Sequence, residues 1–141
     1  MATTRIANAH WEGSLFEGAG KVSLDSSGLG EFDVNWASRA EDANGRTSPE
    51  ELIAAAHASC FSMALSNGLA GAGNAPEALD TKAVVDFVPG TGITEIRLTV
   101  RGKVPGLTNE QFVEEAEGAK VNCPVSQALT GTTITLDAAL A

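Results

Sequence analysis

The stretch Ser48-Pro49-Glu50-Glu51-Leu52-Ile53-Ala54-Ala55-Ala56-His57-Ala58-Ser59-Cys60-Phe61-Ser62-Met63-Ala64-Leu65 decides the fold. Ser48 suits a helix N-cap, Pro49 suits the first helical position, and Glu51 is placed to complete a capping box. Glu50 and Glu51 also complement the positive end of the helix dipole. No charge occurs from Leu52 to Leu65, so this helix is expected to be buried nearly all round. In a chain of 141 residues, a helix wrapped by its own sheet leaves one side bare. A second copy of the chain is the natural cover, which makes a homodimer the first expectation.

Upstream of that helix the sequence reads as strands. His10-Trp11-Glu12-Gly13 leads to a turn near Glu17-Gly18, and Lys21 to Asp25 alternates between faces. Glu31 to Trp36 alternates again, with Phe32, Val34 and Trp36 on one side. Ser26-Ser27-Gly28-Leu29-Gly30 is a loop between them. Downstream, Gly71 to Pro76 ends the helical region. Leu79 to Val88 and Ile93 to Val104 form a strand pair around Pro89-Gly90-Thr91-Gly92, with Ile96, Leu98 and Val100 facing in. A further helix begins at Thr108 as N-cap, with Gln111 at N3 and a staple from Leu107 to Phe112. It stops near Gly118 to Asn122. Cys123-Pro124 opens a short helix to about Leu129, and Thr132 to Leu136 is a last strand. This order predicts an α+β fold in a single domain spanning residues 1–141.

The net charge is −9, with the acidic excess spread along the chain. Nucleic acid and anionic lipid are therefore excluded as partners, because a phosphate surface needs a basic face. Met1-Ala2-Thr3-Thr4-Arg5 is not followed by the apolar run of a signal peptide, and Leu52 to Leu65 is too short to span a bilayer. A soluble, cytoplasmic protein is the expectation. In that reducing compartment a permanent disulfide is not expected, whereas a transient one fits.

Cys60 and Cys123 are the only cysteines. Their setting suggests a thiol pair that works by opening and closing a disulfide. A thiol is a nucleophile only as its thiolate, and lowering its pKa by about two units requires roughly 2.7 kcal/mol. Cys123 gains part of this from the helix that Pro124 starts. Burial in an apolar helix pushes Cys60 the other way, so a working Cys60 needs a cation. Arg39 and Arg46, in the polar loop before the helix, are the candidates. The residues alone leave open a plainer reading, in which Cys60 is a small inert hydrophobe. His57 lies three residues before Cys60 on roughly the same face. With Cys123 and His10 it could be drawn as a metal site, but no short-spacing signature supports that, and a packed core histidine is the better reading. Trp11 and Trp36 read as core aromatics first and pocket lining second.

Ser48 to Leu65 closely resembles the first-cysteine helix of the OsmC/Ohr family, the osmotically inducible protein C and organic hydroperoxide resistance proteins. Asn122-Cys123-Pro124-Val125-Ser126-Gln127 resembles that family's second-cysteine motif. Ala9-His10-Trp11-Glu12-Gly13 and Ile134-Thr135-Leu136-Asp137 sit where the OsmC branch has similar strings. The resemblance covers nearly the whole chain. It implies an OsmC-like fold, with antiparallel sheets packed around a long buried central helix, in an intertwined homodimer with active sites at the subunit interface. It further implies a cysteine-based peroxidase without metal, flavin or haem. Cys60 would be the peroxidatic cysteine and Cys123 the resolving one, with an organic hydroperoxide as substrate and hydrogen peroxide as a poorer one. An external dithiol would restore both thiols, from a lipoyl protein, a small thiol or a thioredoxin-like partner.

By the same resemblance Glu50 matches the glutamate that pairs with the catalytic arginine. The Ohr branch places that arginine after the first strand, where this chain has Gly20-Lys21. The OsmC branch places it later, and Ser38-Arg39-Ala40-Glu41 matches, so Arg39 is taken with Arg46 in reserve. Ten residues of helix separate Glu50 from Cys60 by about 15 Å of rise. Glu50 of one subunit is therefore expected to serve Cys60 of the other, or a long arginine to bridge them. Phe61 and Met63 would supply an apolar wall for bulky peroxides. Two other readings compete: a redox-sensing or ligand-binding stress protein whose disulfide is a switch, and a structural stress protein with inert thiols.

Overall fold

A computed structural model describes all 141 residues, in two compact units, Met1–Leu52 and Ile53–Ala141. The first unit is a three-stranded antiparallel sheet of β1 (Asn8–Glu12), β2 (Ala19–Ser23) and β3 (Glu31–Val34), in that order. A helix, α1 (Trp36–Ala40), follows. It occupies part of the stretch expected to be a polar loop. Its N-cap is Asn35, whose side chain accepts from the Ser38 backbone N–H at 2.7 Å while the Ser38 hydroxyl takes the Asn35 backbone N–H at 3.2 Å. Asn at an N-cap with Ser three residues on is a weaker sequence signal than Ser or Thr with Glu. The Ser38 hydroxyl also donates to the Thr47 carbonyl at 2.9 Å, tying α1 to the segment before the next helix.

The long helix is α2 (Pro49–Gly71). Ser48 caps it as expected, accepting from the Glu51 backbone N–H at 3.1 Å. The Glu51 carboxylate closes no capping box; it accepts the Thr47 hydroxyl at 2.5 Å instead. At 23 residues α2 is longer than its uncharged stretch, and by length and composition alone it could cross a membrane. Within the second unit its buried residues are His57, Phe61, Leu65 and Leu69. Their spacing of four places them on one stripe, as in the core helix of a water-soluble protein. The helix is thus not buried all round in the single chain: Ala55, Ala56, Ser59 and Met63 stay exposed.

The second sheet orders β4 (Ala78–Val88), β5 (Gly92–Lys103) and β6 (Thr133–Leu140) with β5 central. β4 and β5 form the expected antiparallel hairpin, in which Thr91 N–H closes on the Val88 carbonyl at 2.9 Å. β6 joins β5 parallel, so this sheet is mixed. The chain leaves β5 through α3 (Asn109–Asn122) and α4 (Pro124–Ala128), a helical crossover that returns it in the same direction. No residue pattern inside β6 distinguishes parallel from antiparallel pairing. α3 carries the full capping box of Thr108 and Gln111. Ile96, Leu98 and Val100 are buried on β5, as their alternation predicts. The core of the unit joins Leu98 and Val100 to Phe61, Leu65 and Leu69 of α2 and Phe112, Ala116 and Ala119 of α3. Each fully buried Val, Leu or Phe side chain among them contributes about 1.5–3 kcal/mol. A Cβ at Gly102 would lie 2.6 Å from the Phe112 ring, so any larger residue there forces the ring to shift.

Candidate active site

The two sulfurs, sixty-three residues apart, lie 2.8 Å from each other, with Cys123 donating to Cys60. Both cysteines are free thiols, Cys123 fully buried and Cys60 partly so. Cys60 is presented by the fourth turn of α2, one position before the core residue Phe61. Cys123 ends α3, its N–H bonded to the Ala119 carbonyl at 2.9 Å, and at the same time starts α4 with Pro124 at the first position. A disulfide needs sulfurs at about 2.05 Å, so less than an ångström of movement separates these thiols from a bond.

Within its own unit the surroundings of Cys60 favour the protonated thiol. Burial pushes the Cys60 thiol up from its ordinary value, contact with Cys123 pushes the same way, and a hydrogen bond with the backbone of Val125 opposes both. Beside the sulfurs runs a second contact between the same two elements, His57 Nε2 to Ser126 Oγ at 2.7 Å. Both residues are buried, and burial holds the imidazole below its ordinary pKa, so it is neutral. His57 is wholly buried, which is the packed core histidine read from the sequence.

The first unit holds the other two candidates. Arg39, in the last turn of α1, forks onto Glu50, in the first turn of α2. Its Nε lies 3.0 and 3.2 Å from the two carboxylate oxygens, and Nη2 lies 2.9 Å from Oε1. Glu50 is only 6% exposed. A buried carboxylate fixing a guanidinium by charge-assisted bonds gives the cation one orientation. Arg46 makes no such pair; it lies in the exposed loop after α1.

Arg39 also lines a cavity of about 490 Å³ with Ala9, Trp11, Leu15, Val22, Val34, Trp36 and Leu52. Apart from the arginine and Asn35 its wall is apolar, and Trp36 is fixed by an edge-on contact with Phe16 at 5.6 Å. Pocket lining, the second reading for the tryptophans, is what the structure favours. The expected wall of Phe61 and Met63 is different: Phe61 is wholly buried in the core and Met63 is 71% exposed. Ser126, bonded to His57, and the backbone of Val125, bonded to Cys60, stand beside the sulfurs and were not singled out in the sequence. The usable signal was the matching spacing of three in His57–Cys60 and Cys123–Ser126.

Comparison with known proteins places the chain among relatives of one family. The OsmC family, described as OsmC-like protein, matches residues 41–137, a range that holds Glu50, Cys60 and Cys123 and leaves Arg39 outside. Peroxiredoxin OsmC of Escherichia coli strain K12 is 44% identical over 140 residues, covering 97% of this chain and 96% of that protein. Among solved structures, an organic hydroperoxide resistance protein from Elizabethkingia anophelis superposes with a TM-score of 0.73 at 26% identity over the whole of both chains. An organic hydroperoxide resistance protein OsmC from Legionella pneumophila gives 0.72 at 23% identity, covering 99% of this chain and 98% of that one.

Proposed function

The chain belongs to the OsmC family, and from that premise we propose that it is a thiol-dependent peroxidase that reduces organic hydroperoxides and, less efficiently, hydrogen peroxide. The observation that carries the reading is the approach of the two free sulfurs to 2.8 Å. The Cys60 thiolate attacks the distal peroxide oxygen; the O–O bond breaks, the alkoxide leaves with a proton as the alcohol, and Cys60 becomes a sulfenic acid. The Cys123 thiolate then attacks that sulfur, and hydroxide leaves with a proton as water. An external dithiol reduces the resulting disulfide and is itself oxidised to a disulfide. A lipoyl group, a small dithiol or a thioredoxin-like protein fits that role.

Arg39, oriented by Glu50, supplies the cation that Cys60 lacks within its own unit and polarises the peroxide. The cavity it lines takes the apolar part of the substrate, with Trp11 and Trp36 as walls. The working form is a homodimer in a reducing compartment, the cytoplasm. The exposed small and apolar face of α2, from Ala55 to Met63, supports a second copy as its cover. In that dimer the Arg39–Glu50 pair of one copy serves Cys60 of the other. A mixed dimer of Cys60→Ser and Glu50→Ala chains regains activity over either parent; no recovery refutes the shared site.

The test of the function is steady consumption of cumene hydroperoxide with a dithiol, abolished in Cys60→Ser. Oxidation once per chain without turnover would make the disulfide a switch, and thiols left reduced by peroxide would make them inert.

A further inference from the structure

His57 and Cys60 stand three residues apart on α2, and Cys123 and Ser126 stand three residues apart at the start of α4. Each residue of one couple meets its counterpart in the other, the sulfurs at 2.8 Å and His57 Nε2 with Ser126 Oγ at 2.7 Å. Two links therefore run side by side between the same elements, about 4.5 Å apart along α2. The chemistry of the site makes and breaks one of them. The other contains no atom that reacts.

We propose that the His57–Ser126 hydrogen bond is a clasp that holds α4, and Cys123 with it, within bonding reach of Cys60 while the sulfurs are unlinked. This rests on the resolving role proposed for Cys123, and it makes His57 and Ser126 positioning residues. α4 needs such a device. It has five residues and no side-chain cap at its N-terminus, far below the length at which a helix holds itself. Ser126 is 3% exposed and His57 fully buried. The imidazole has no other hydrogen-bond partner, because its Nδ1 is buried without one. Swinging α4 away from α2 would leave a hydroxyl and a ring nitrogen unpaired in the core, which opposes the motion. The bond contains none of the reacting atoms, so the clasp keeps the resolving thiol in place through the sulfenic acid stage. The neutral ring brings no charge to compete with a guanidinium for the Cys60 thiolate.

The test equilibrates the full-length protein with glutathione redox buffers and reads dithiol against disulfide by mass spectrometry after alkylation. The effective concentration of one thiol at the other is expected to fall about tenfold in Ser126→Ala and in His57→Phe, which keeps the ring volume. Ser126→Thr, which keeps the hydroxyl, stays within twofold of wild type. In single-turnover mixing with cumene hydroperoxide, Ser126→Ala forms the sulfenic acid at the wild-type rate and closes the disulfide about tenfold more slowly, with more Cys60 trapped by dimedone. An effective concentration within twofold of wild type in both Ser126→Ala and His57→Phe overturns the clasp. Wild-type thiols that peroxide leaves reduced overturn the peroxidase reading instead, and the glutathione equilibrium then still decides the clasp.

Discussion

Replacing Arg39 by Met takes the guanidinium away from a carboxylate that is 6% exposed. Three nitrogen–oxygen approaches of 2.9 to 3.2 Å disappear together. Removing one partner of a buried ion pair costs about 3–5 kcal/mol, because the remaining charge is left without water or a counter-ion. The Arg39 side chain is 32% exposed against 7% for Glu50, so water reaches the arginine side and the lower end applies, about 3 kcal/mol. Glu50→Gln should cost less, about 1.5 kcal/mol, since an amide oxygen still accepts one bond and no buried charge is stranded. The double variant Arg39→Met/Glu50→Gln is then expected to be more stable than Arg39→Met alone. Urea denaturation followed by tryptophan emission is the assay, since Trp11 and Trp36 lie in the same unit as the pair. Peroxide turnover, measured on the same samples, should fall in all three. Two results would refute the reasoning: a loss under about 1 kcal/mol in Arg39→Met, which is the range of solvent-exposed pairs, or strictly additive losses in the double variant.

Arg39→Lys keeps the charge and loses the fork, so kcat/KM for cumene hydroperoxide is expected to fall at least about tenfold; wild-type activity would mean that orientation is unimportant. Cys123→Ser should still consume one peroxide per chain and accumulate a dimedone-reactive Cys60, whereas Cys60→Ser consumes none; equal bursts in both would reverse the assigned roles. Gly102→Ala places a methyl 2.6 Å from Phe112 and should destabilise by about 1–3 kcal/mol in urea; an unchanged midpoint would show that the ring has room to move. Because burial lowers the pKa of His57 from 6.5, the unfolded chain takes up that proton first. The contribution is present above pH 6.5 and is lost as pH falls toward the lower folded value. Wild-type stability should therefore drop more steeply below that pH than the stability of His57→Phe, and parallel curves would remove His57 from the acid response.

Elements whose formation depends on neighbours along the chain were legible in the sequence. The Thr108–Gln111 capping box, the Ser48 cap and the Ile96-Leu98-Val100 alternation all appear where local pattern places them. What was not legible depends on partners and packing that the local pattern does not specify. α1 is held partly by a bond from Ser38 to Thr47, and β6 is parallel because of the crossover before it. Glu51 accepts the Thr47 hydroxyl instead of closing the capping box that the local pattern assigns it. Phe61 and Met63 are two residues apart on α2, and helical geometry sends them to different faces, one into the core and one to the surface.

The chemical repertoire was set by the sequence itself: two cysteines, one helix without charge, a glutamate in its first turn and an arginine eleven residues before that glutamate. Residue identity decides what a group can do, and short-range spacing decides which helix or strand it rides on. Only the tertiary structure brought sulfur to sulfur, forked Arg39 onto Glu50 and set His57 against Ser126, while leaving Arg46 in an exposed loop. The sulfur and His57–Ser126 pairings depend on how the second unit closes on itself over more than sixty residues. Such closure follows from burying the apolar surface of α2, α3 and β5 together, which no local pattern encodes.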